Sequence, residues 1–202
     1  MELSILKIIE STIVDGPGLR TTVYSAGCTH HCHNCHNPQS WSIDNGIKTP
    51  VQDILRTILS NNENVTFSGG DPFMQISGFA ELAELIKTHS NKTIWCYTGY
   101  TYEQILILPN AINLLKNIDV LIDGPFIDSL KDETLLFRGS SNQRIIDVKS
   151  SLLKGYTILL DLSPFHSPLL YSITNNKINN IRYYLLRCYY SQLTLTTRWK
   201  RE

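Results

Sequence analysis

The stretch NVTFSGGDPF, residues 64–73, predicts a strand that ends in a tight turn. Val65, Thr66 and Phe67 are residue types that favour a strand, and two glycines, an aspartate and a proline follow them. Ser77 then starts a run in which apolar residues recur at helical spacing. A strand, a turn and a helix in this order are the repeating unit of α/β proteins.

The same alternation extends to both sides of this stretch. Further strands are predicted at residues 3–9, 20–26, 93–98, 119–123 and 156–161, which are rich in β-branched and aromatic residues. Helices are predicted from capping boxes at Thr49 and Thr101 and over residues 145–154. The pattern indicates the α/β class with a mostly parallel sheet, in which ligands gather at the carboxyl ends of the strands.

Composition limits the classes of function. The chain has 202 residues, of which 42% are hydrophobic and 18% charged, and its formal net charge is zero. This balance argues against a nucleic-acid partner or an anionic membrane, because both attract a surplus of Lys and Arg. No apolar run approaches the ~18 residues that cross a bilayer, and no signal peptide is recognised. We therefore expect a cytoplasmic protein with reduced cysteines.

The sequence AGCTHHCHNCHNPQSW, residues 26–41, contains three of the five cysteines and four of the six histidines, and we call it the cysteine loop. The spacing is Cys28-x3-Cys32-x2-Cys35, and thiolates suit zinc or an iron–sulfur cluster. A histidine of the loop can complete a four-ligand zinc site, so zinc stays open at this point. A 4Fe-4S cluster with one open iron fits better, because structural zinc usually needs a second cysteine pair.

The cysteine spacing resembles the signature of the radical S-adenosylmethionine (SAM) enzymes. Gly69, Gly70 and Asp71, which we call the glycine turn, match a second motif of that superfamily. Six blocks in order resemble one of its families, the activases of the anaerobic ribonucleoside-triphosphate reductase: VDGPGLRTT, GCTHHCHNCHNPQSW, VTFSGGDPFMQ, IWCYTGYTYEQ, DVLIDGPF and FRGSSNQRIIDV. DGPG and CHNP are shared with the pyruvate formate-lyase activase, whereas RGSSNQR favours the reductase activase.

This resemblance implies a partial (β/α)6-type radical SAM barrel and an oxidoreductase activity. A 4Fe-4S cluster and SAM would generate a glycyl radical on the large subunit of the reductase, forming 5′-deoxyadenosine and methionine. That subunit and reduced flavodoxin, or a similar electron donor, are the implied partners. The alternatives are another small radical SAM enzyme, similar to the pyruvate formate-lyase activase or to deazaguanine synthase, and a zinc-binding interaction module.

The resemblance also assigns residues to the site. It makes Cys28, Cys32 and Cys35 the iron ligands and implies no catalytic residue beyond the cluster and SAM. The implied SAM contacts are Asn34, Cys35 and His36 near the adenine, Gly69, Gly70 and Asp71 along the methionine, and Thr98 and Asp123 at the ribose. For Thr98 and Asp123, ordinary capping at the strand ends is the competing role. Asn34 departs from the superfamily, which often has an aromatic residue there.

Other residues of the same blocks have two expected roles. Asp15 either contacts the glycine loop of the reductase or shapes its own turn. Arg138 and Arg144 either bind the reductase or pair with carboxylates of the body. We expect His30, His31 and His33 to be solvated and Cys96 to be buried.

By the same resemblance, residues 1–162 form the radical SAM core and residues 163–202 a C-terminal extension of unknown role. The extension differs in charge, with six basic residues and one acidic residue from Ser163 onward. One apolar helical face is predicted within it, formed by Ile178, Ile181, Leu185 and Leu186.

Overall fold

The computed structural model describes residues 1–163, so the extension beyond Ser163 and the helical face predicted at Ile178 lie outside the described residues. The strands are β1 (Glu2–Thr12), β2 (Arg20–Ser25), β3 (Ile47–Pro50), β4 (Asn64–Gly69), β5 (Ile94–Tyr97), β6 (Val120–Asp123) and β7 (Arg144–Asp147). The helices are α1 (Val51–Leu59), α2 (Ile76–His89), α3 (Tyr102–Ile107), α4 (Ala111–Leu115) and α5 (Val148–Lys154). The predicted α/β class is confirmed.

The seven strands of residues 1–163 form one sheet, in the order β3-β1-β2-β4-β5-β6-β7. Parallel pairing joins β2, β4, β5 and β6, whereas β1 with β2, β1 with β3 and β6 with β7 are antiparallel. The prediction of a mostly parallel sheet is therefore correct only for the four central strands. The short loop between β1 and β2 cannot form the crossover that parallel neighbours need, so these strands are antiparallel.

The two predicted capping boxes have different outcomes. Thr101 and Gln104 form the box at the start of α3. Thr49 does not cap α1, because it lies in β3 opposite Leu3, and its Oγ1 donates to Ile47 O at 3.1 Å. Pairing with β1 keeps the backbone of Thr49 extended, so α1 begins after Pro50 without a side-chain cap.

The helix predicted over residues 145–154 is divided between two elements. Ile145 packs with Trp95, whereas Ile146 packs in the larger core. This two-residue alternation belongs to a strand, so β7 ends at Asp147 and the helix begins after it. Residues 156–161, predicted as a strand, contribute only an isolated bridge between Leu159 and Ile146 to the sheet described here.

Apolar clusters cover both faces of the sheet. The larger cluster lies under the helices and includes Phe67 and Phe79, both fully buried. The smaller cluster lies on the opposite face and includes Trp95 and Val120. Cys96 is buried in the larger cluster, as predicted from its place in the strand.

Within residues 1–163, no helix is both long enough and apolar enough to span a membrane.

Candidate functional site

The cysteine loop starts where β2 ends, and main-chain hydrogen bonds close its base. Gly27 N donates to Ser40 O at 2.8 Å, and Cys28 N donates to Trp41 O at 3.0 Å. Gly27 has a φ of +92°, in the left-handed region that favours glycine. The three cysteines therefore lie on a closed loop beyond the carboxyl end of β2.

The three thiols of the loop are free and half-buried. Cys35 Sγ accepts a hydrogen bond from Asn37 N at 3.4 Å. Burial raises the pKa of the Cys28 and Cys32 thiols, so iron must displace a proton from each on binding. Hydrogen bonds to sulfur are among the features that set the reduction potential of an iron–sulfur cluster.

The candidate metal ligands of the cysteine loop are thiolates, which are soft ligands. Three free thiols on one loop fit a cluster in which every sulfur binds a different iron. Within the part of the chain that the structure describes, no three His, Cys, Asp or Glu side chains are grouped around a single ion position. The soft donor set of Cys28, Cys32 and Cys35 is compatible with an iron–sulfur cluster, and their role as its ligands stays a prediction.

The glycine turn is bonded directly to the base of the cysteine loop. Gly70 N donates to Ser25 O and Asp71 N donates to Gly27 O, both at 2.8 Å. Gly69 has a φ of +101°, and a Cβ there would lie 2.4 Å from Ser25 N. A Cβ on Gly70 would lie 2.4 Å from Gly27 O. Both positions require glycine because the backbone of β2 and of the loop base occupies the space.

Asp71 joins the glycine turn to two other elements, and its side chain is completely buried. Oδ1 accepts a hydrogen bond from Phe73 N at 2.9 Å, while Oδ2 accepts from Thr98 Oγ1 at 2.9 Å and from Gly99 N at 3.0 Å. His30 Nε2 lies 2.8 Å from the same Oδ2. Asp71 and Thr98, which the resemblance assigns to the methionine and the ribose, are thus bonded to each other, and their contacts with SAM stay predictions.

The prediction that His30 is solvated is wrong. Its side chain is 16% exposed, and its ring packs edge-on against Tyr100 with the centroids 4.5 Å apart. The ring fits because position 99 is glycine, where a Cβ would lie 2.3 Å from His30 Cδ2. His31 and His33 are exposed, as predicted. No local pattern distinguishes His30 from these neighbours, because its contacts come from residues after β4 and β5.

The second half of the cysteine loop lies against the segment after β6. Asn34 Nδ2 donates to Asp128 Oδ2 at 2.8 Å, and the His36 and Phe126 rings are 6.2 Å apart. Asn34 has a φ of +55°, which asparagine adopts more readily than an aromatic residue does. This conformation gives a physical reason for the asparagine at this position. The contacts of Asn34, Cys35 and His36 with adenine stay predictions.

Asp123 is completely buried at the end of β6, and both of its oxygens are bonded within the chain. Oδ2 accepts from Tyr102 N, at the first residue of α3, at 2.7 Å, and Oδ1 accepts from Arg144 Nε at 3.0 Å. Arg144 also donates to the two oxygens of Glu103, at 3.1 and 2.7 Å. Asp123 thus caps a helix, and Arg144 pairs with carboxylates of the body. Their roles towards the ribose and the reductase stay predictions.

We expect Glu103→Gln to lower the free energy of unfolding at pH 7 by about 0.5 kcal/mol, because the pair with Arg144 is partly exposed. Hydrogen bonds from Arg144 lower the pKa of Glu103 to about 2, against about 4.3 for an unfolded glutamate. A lowered carboxyl pKa stabilises the fold above the unfolded pKa, and this contribution disappears as the pH falls towards 2. Urea unfolding of the metal-free protein at pH 7, 4 and 3 measures the difference. Glu84→Gln, at an exposed site on α2, is the control, and a loss that is independent of pH would contradict the assignment.

Asp15 shapes the loop between β1 and β2, which is one of its two expected roles. Its Oδ2 accepts hydrogen bonds from Thr12 Oγ1 at 2.8 Å, Thr22 Oγ1 at 3.1 Å and Tyr24 Oη at 2.7 Å. Burial and the hydrogen bond to Asp15 raise the pKa of Tyr24. Arg138 Nη1 donates to Gln143 O at 2.6 Å. Contacts of Asp15 and Arg138 with the reductase stay predictions.

A family model described as a 4Fe-4S single cluster domain matches residues 14–146. This range is about two thirds of the chain and contains the cysteine loop and the glycine turn. It also contains His30, Phe126 and Asp128, which the sequence analysis did not assign to the site.

Three curated relatives are named anaerobic ribonucleoside-triphosphate reductase-activating protein. The Vibrio cholerae protein is 36% identical over 142 residues, which are 66% of this chain and 90% of the relative. The Escherichia coli K12 protein is 33% identical over 142 residues, which are 65% and 90% of the two chains. The protein of Enterobacteria phage T4 is 33% identical over 146 residues, which are 69% and 90%. The chain therefore belongs to the family of the anaerobic ribonucleoside-triphosphate reductase-activating proteins and has a 4Fe-4S single cluster domain.

Proposed function

We propose that the protein is a radical SAM activase that generates a glycyl radical on the large subunit of the anaerobic ribonucleoside-triphosphate reductase. The observation that carries the proposal is the main-chain hydrogen bond from Asp71 N to Gly27 O, 2.8 Å long, which connects the glycine turn to the base of the cysteine loop. This hydrogen bond holds the loop with the three thiols beside the glycine turn. A cluster with one open iron needs such a neighbour, because the ligand on that iron must also be held. The printed name of the relatives supports the reductase as partner.

Cys28, Cys32 and Cys35 would each hold one iron of a 4Fe-4S cluster and leave the fourth iron for SAM. When bound, the cluster and SAM would supply one-electron chemistry that gives methionine and a 5′-deoxyadenosyl radical, the species that would take a hydrogen atom from a glycine of the reductase. The chain itself holds the cluster, orients SAM and excludes water. The hydrogen bond from Asn37 N to Cys35 Sγ would contribute to the reduction potential of the cluster.

Hydrogen bonds within the chain already occupy some groups of the site, so other groups would contact SAM. The N–H groups of Gly70 and Asp71 are bonded to Ser25 O and Gly27 O, so the carbonyl oxygens of the glycine turn would meet the SAM ammonium group. The side chains of Thr98 and Asp123 are bonded within the chain, so main-chain groups beside them would meet the ribose. Asn34, Cys35 and His36 would lie near the adenine.

The partner surface would include Asp15, Arg138 and Arg144, which belong to blocks shared with the reductase activases. Strands β2, β4, β5 and β6 would form part of a partial (β/α)6-type barrel around the chemistry. Reduced flavodoxin or a similar donor would supply the electron, and the cytoplasm is the expected compartment.

Metal analysis and a SAM-cleavage assay test the proposal. After anaerobic purification we expect iron and sulfide at about four each per chain, as in one 4Fe-4S cluster. With dithionite and SAM, we expect 5′-deoxyadenosine and methionine in equal amounts. Zinc without iron and sulfide would contradict the cluster and favour a zinc-binding module. SAM cleavage coupled to a small molecule, with no modification of the reductase, would favour a different radical SAM enzyme.

A further inference from the structure

A histidine–aspartate pair ties the cysteine loop to the glycine turn at a second point. His30 Nε2 lies 2.8 Å from Asp71 Oδ2, and the exposed fractions of the two side chains are 16% and 0%. A carboxylate oxygen only accepts hydrogen bonds, so Nε2 carries the hydrogen of this contact. Hydrogen bonds with an ionised partner are about twice as strong as those between neutral groups. The pair is therefore a strong link between the two motifs.

The ring of His30 occupies a shaped site. Tyr100 packs against it with an interplanar angle of 76°, and a Cβ on Gly99 would lie 2.3 Å from Cδ2 and 2.5 Å from Cγ of the ring. Gly99 N also donates to Asp71 Oδ2 at 3.0 Å, so the same carboxylate fixes one wall of the site. Residues that follow β4 and β5 thus hold the ring in one place.

The pair acts on the first arm of the cysteine loop, which runs from Cys28 to Cys32. His30 lies midway between Cys28 and Cys32, so fixing its side chain on Asp71 also fixes the middle of this arm. The base of the loop has its own main-chain hydrogen bonds, and the carboxylate keeps three other donors without His30. Loss of the His30 side chain would therefore loosen the arm without removing a thiol or breaking the sheet.

We propose that His30 is a positioning residue, whose hydrogen bond to Asp71 sets the distance between the first arm of the cysteine loop and the glycine turn. The proposal rests on the proposed function in one respect, that the glycine turn binds SAM. His30 binds neither iron nor SAM in this account. It acts through the backbone of the first arm on one side and through Asp71 on the other.

Alkylation of the metal-free, full-length protein tests the positioning role of His30 without an activity measurement. Peptide mass spectrometry follows the rate at which iodoacetamide modifies Cys28 and Cys35. We expect His30→Ala to accelerate modification of Cys28 several-fold relative to Cys35, because the arm becomes mobile. His30→Gln should restore most of the protection, because the Gln Nε2 can reach Asp71. The control His33→Gln changes an exposed residue of the same loop and should behave as wild type.

Reconstituted protein gives the second readout. We expect His30→Ala to keep its iron but to raise the KM for SAM about tenfold, with a smaller effect on kcat and an altered EPR spectrum when SAM is added. Gly99→Ala keeps both polar partners but displaces the ring, so it should reproduce these changes. Alkylation rates at Cys28 that are equal in wild type and His30→Ala would overturn the proposal. Loss of iron from both His30→Ala and His30→Gln, but not from His33→Gln, would also overturn it by making His30 a ligand.

The two proposals fail separately in these experiments. Wild-type protein that takes up no iron or cleaves no SAM would contradict the proposed function. The alkylation comparison would still decide whether His30 positions the loop, because it uses the metal-free protein. If His30→Ala does not fold, the comparison of His30→Gln and Gly99→Ala with wild type decides the same question: protection in the first and exposure in the second support the hydrogen bond.

Discussion

Cys32→Ala should lose the iron–sulfur cluster and lower SAM cleavage by more than about 100-fold, since removal of a group that merely supports a metal ligand costs 10–100-fold. Cys32 is half-buried on the cysteine loop and belongs to neither apolar cluster of the sheet. The fold of residues 1–163 should therefore survive. Iron and sulfide analysis and chromatography of 5′-deoxyadenosine measure the two losses, and circular dichroism checks the fold.

The matched control is Cys96→Ala. Cys96 is completely buried in the larger apolar cluster and lies on β5 rather than on the cysteine loop. Its replacement should lower stability by about 1 kcal/mol and leave the iron content unchanged. Formation of 5′-deoxyadenosine by Cys32→Ala, or loss of iron from Cys96→Ala, would contradict the ligand assignment.

Gly70→Ala should destabilise even the metal-free protein, by about 3 kcal/mol. The added Cβ would lie 2.4 Å from Gly27 O, 2.9 Å from Gly27 C and 3.0 Å from Ser40 O. These are backbone atoms of the loop base, so they can move only by breaking the bonds that hold the loop to the glycine turn. Urea unfolding of metal-free Gly70→Ala measures the effect, and reduced iron uptake should accompany it.

Gly155→Ala separates crowding from backbone conformation. Gly155 has a φ of +74°, but a Cβ there would meet nothing within 4 Å. Its replacement should cost about 1 kcal/mol from the left-handed conformation alone. If metal-free Gly70→Ala were as stable as wild type, the account of a glycine required by packing would be wrong. The glycine would then be explained only by a bound ligand.

The position of the site could be predicted from the sequence because it depends on local patterns and one topological rule. The cysteine loop and the glycine turn each follow a strand, and parallel strands bring their carboxyl ends to the same edge. β2 and β4 are parallel neighbours, with Ser25 opposite Gly69, so the two motifs meet. The capping box at Thr101 could be predicted for a similar reason, since its two side chains are three residues apart.

The contacts within the site could not be predicted in this way. His30 reaches Asp71, 41 residues further along the chain, and Asn34 reaches Asp128, 94 residues further. Spacing along the chain carries no signal for such pairs, because the packing of separate elements creates them. The sequence predicts a helix where β7 lies, because Ile145 and Ile146 are apolar neighbours and only pairing with β6 separates them onto two faces.

EPR spectroscopy of the reductase tests the central claim most directly. The large reductase subunit is incubated anaerobically with the reconstituted protein, dithionite and SAM. We predict a doublet from a glycyl radical, split by the remaining Cα hydrogen. Reductase labelled with deuterium at the glycine Cα should lose the splitting and transfer deuterium into 5′-deoxyadenosine. Ample SAM cleavage with no radical on the reductase and no deuterium transfer would contradict the account.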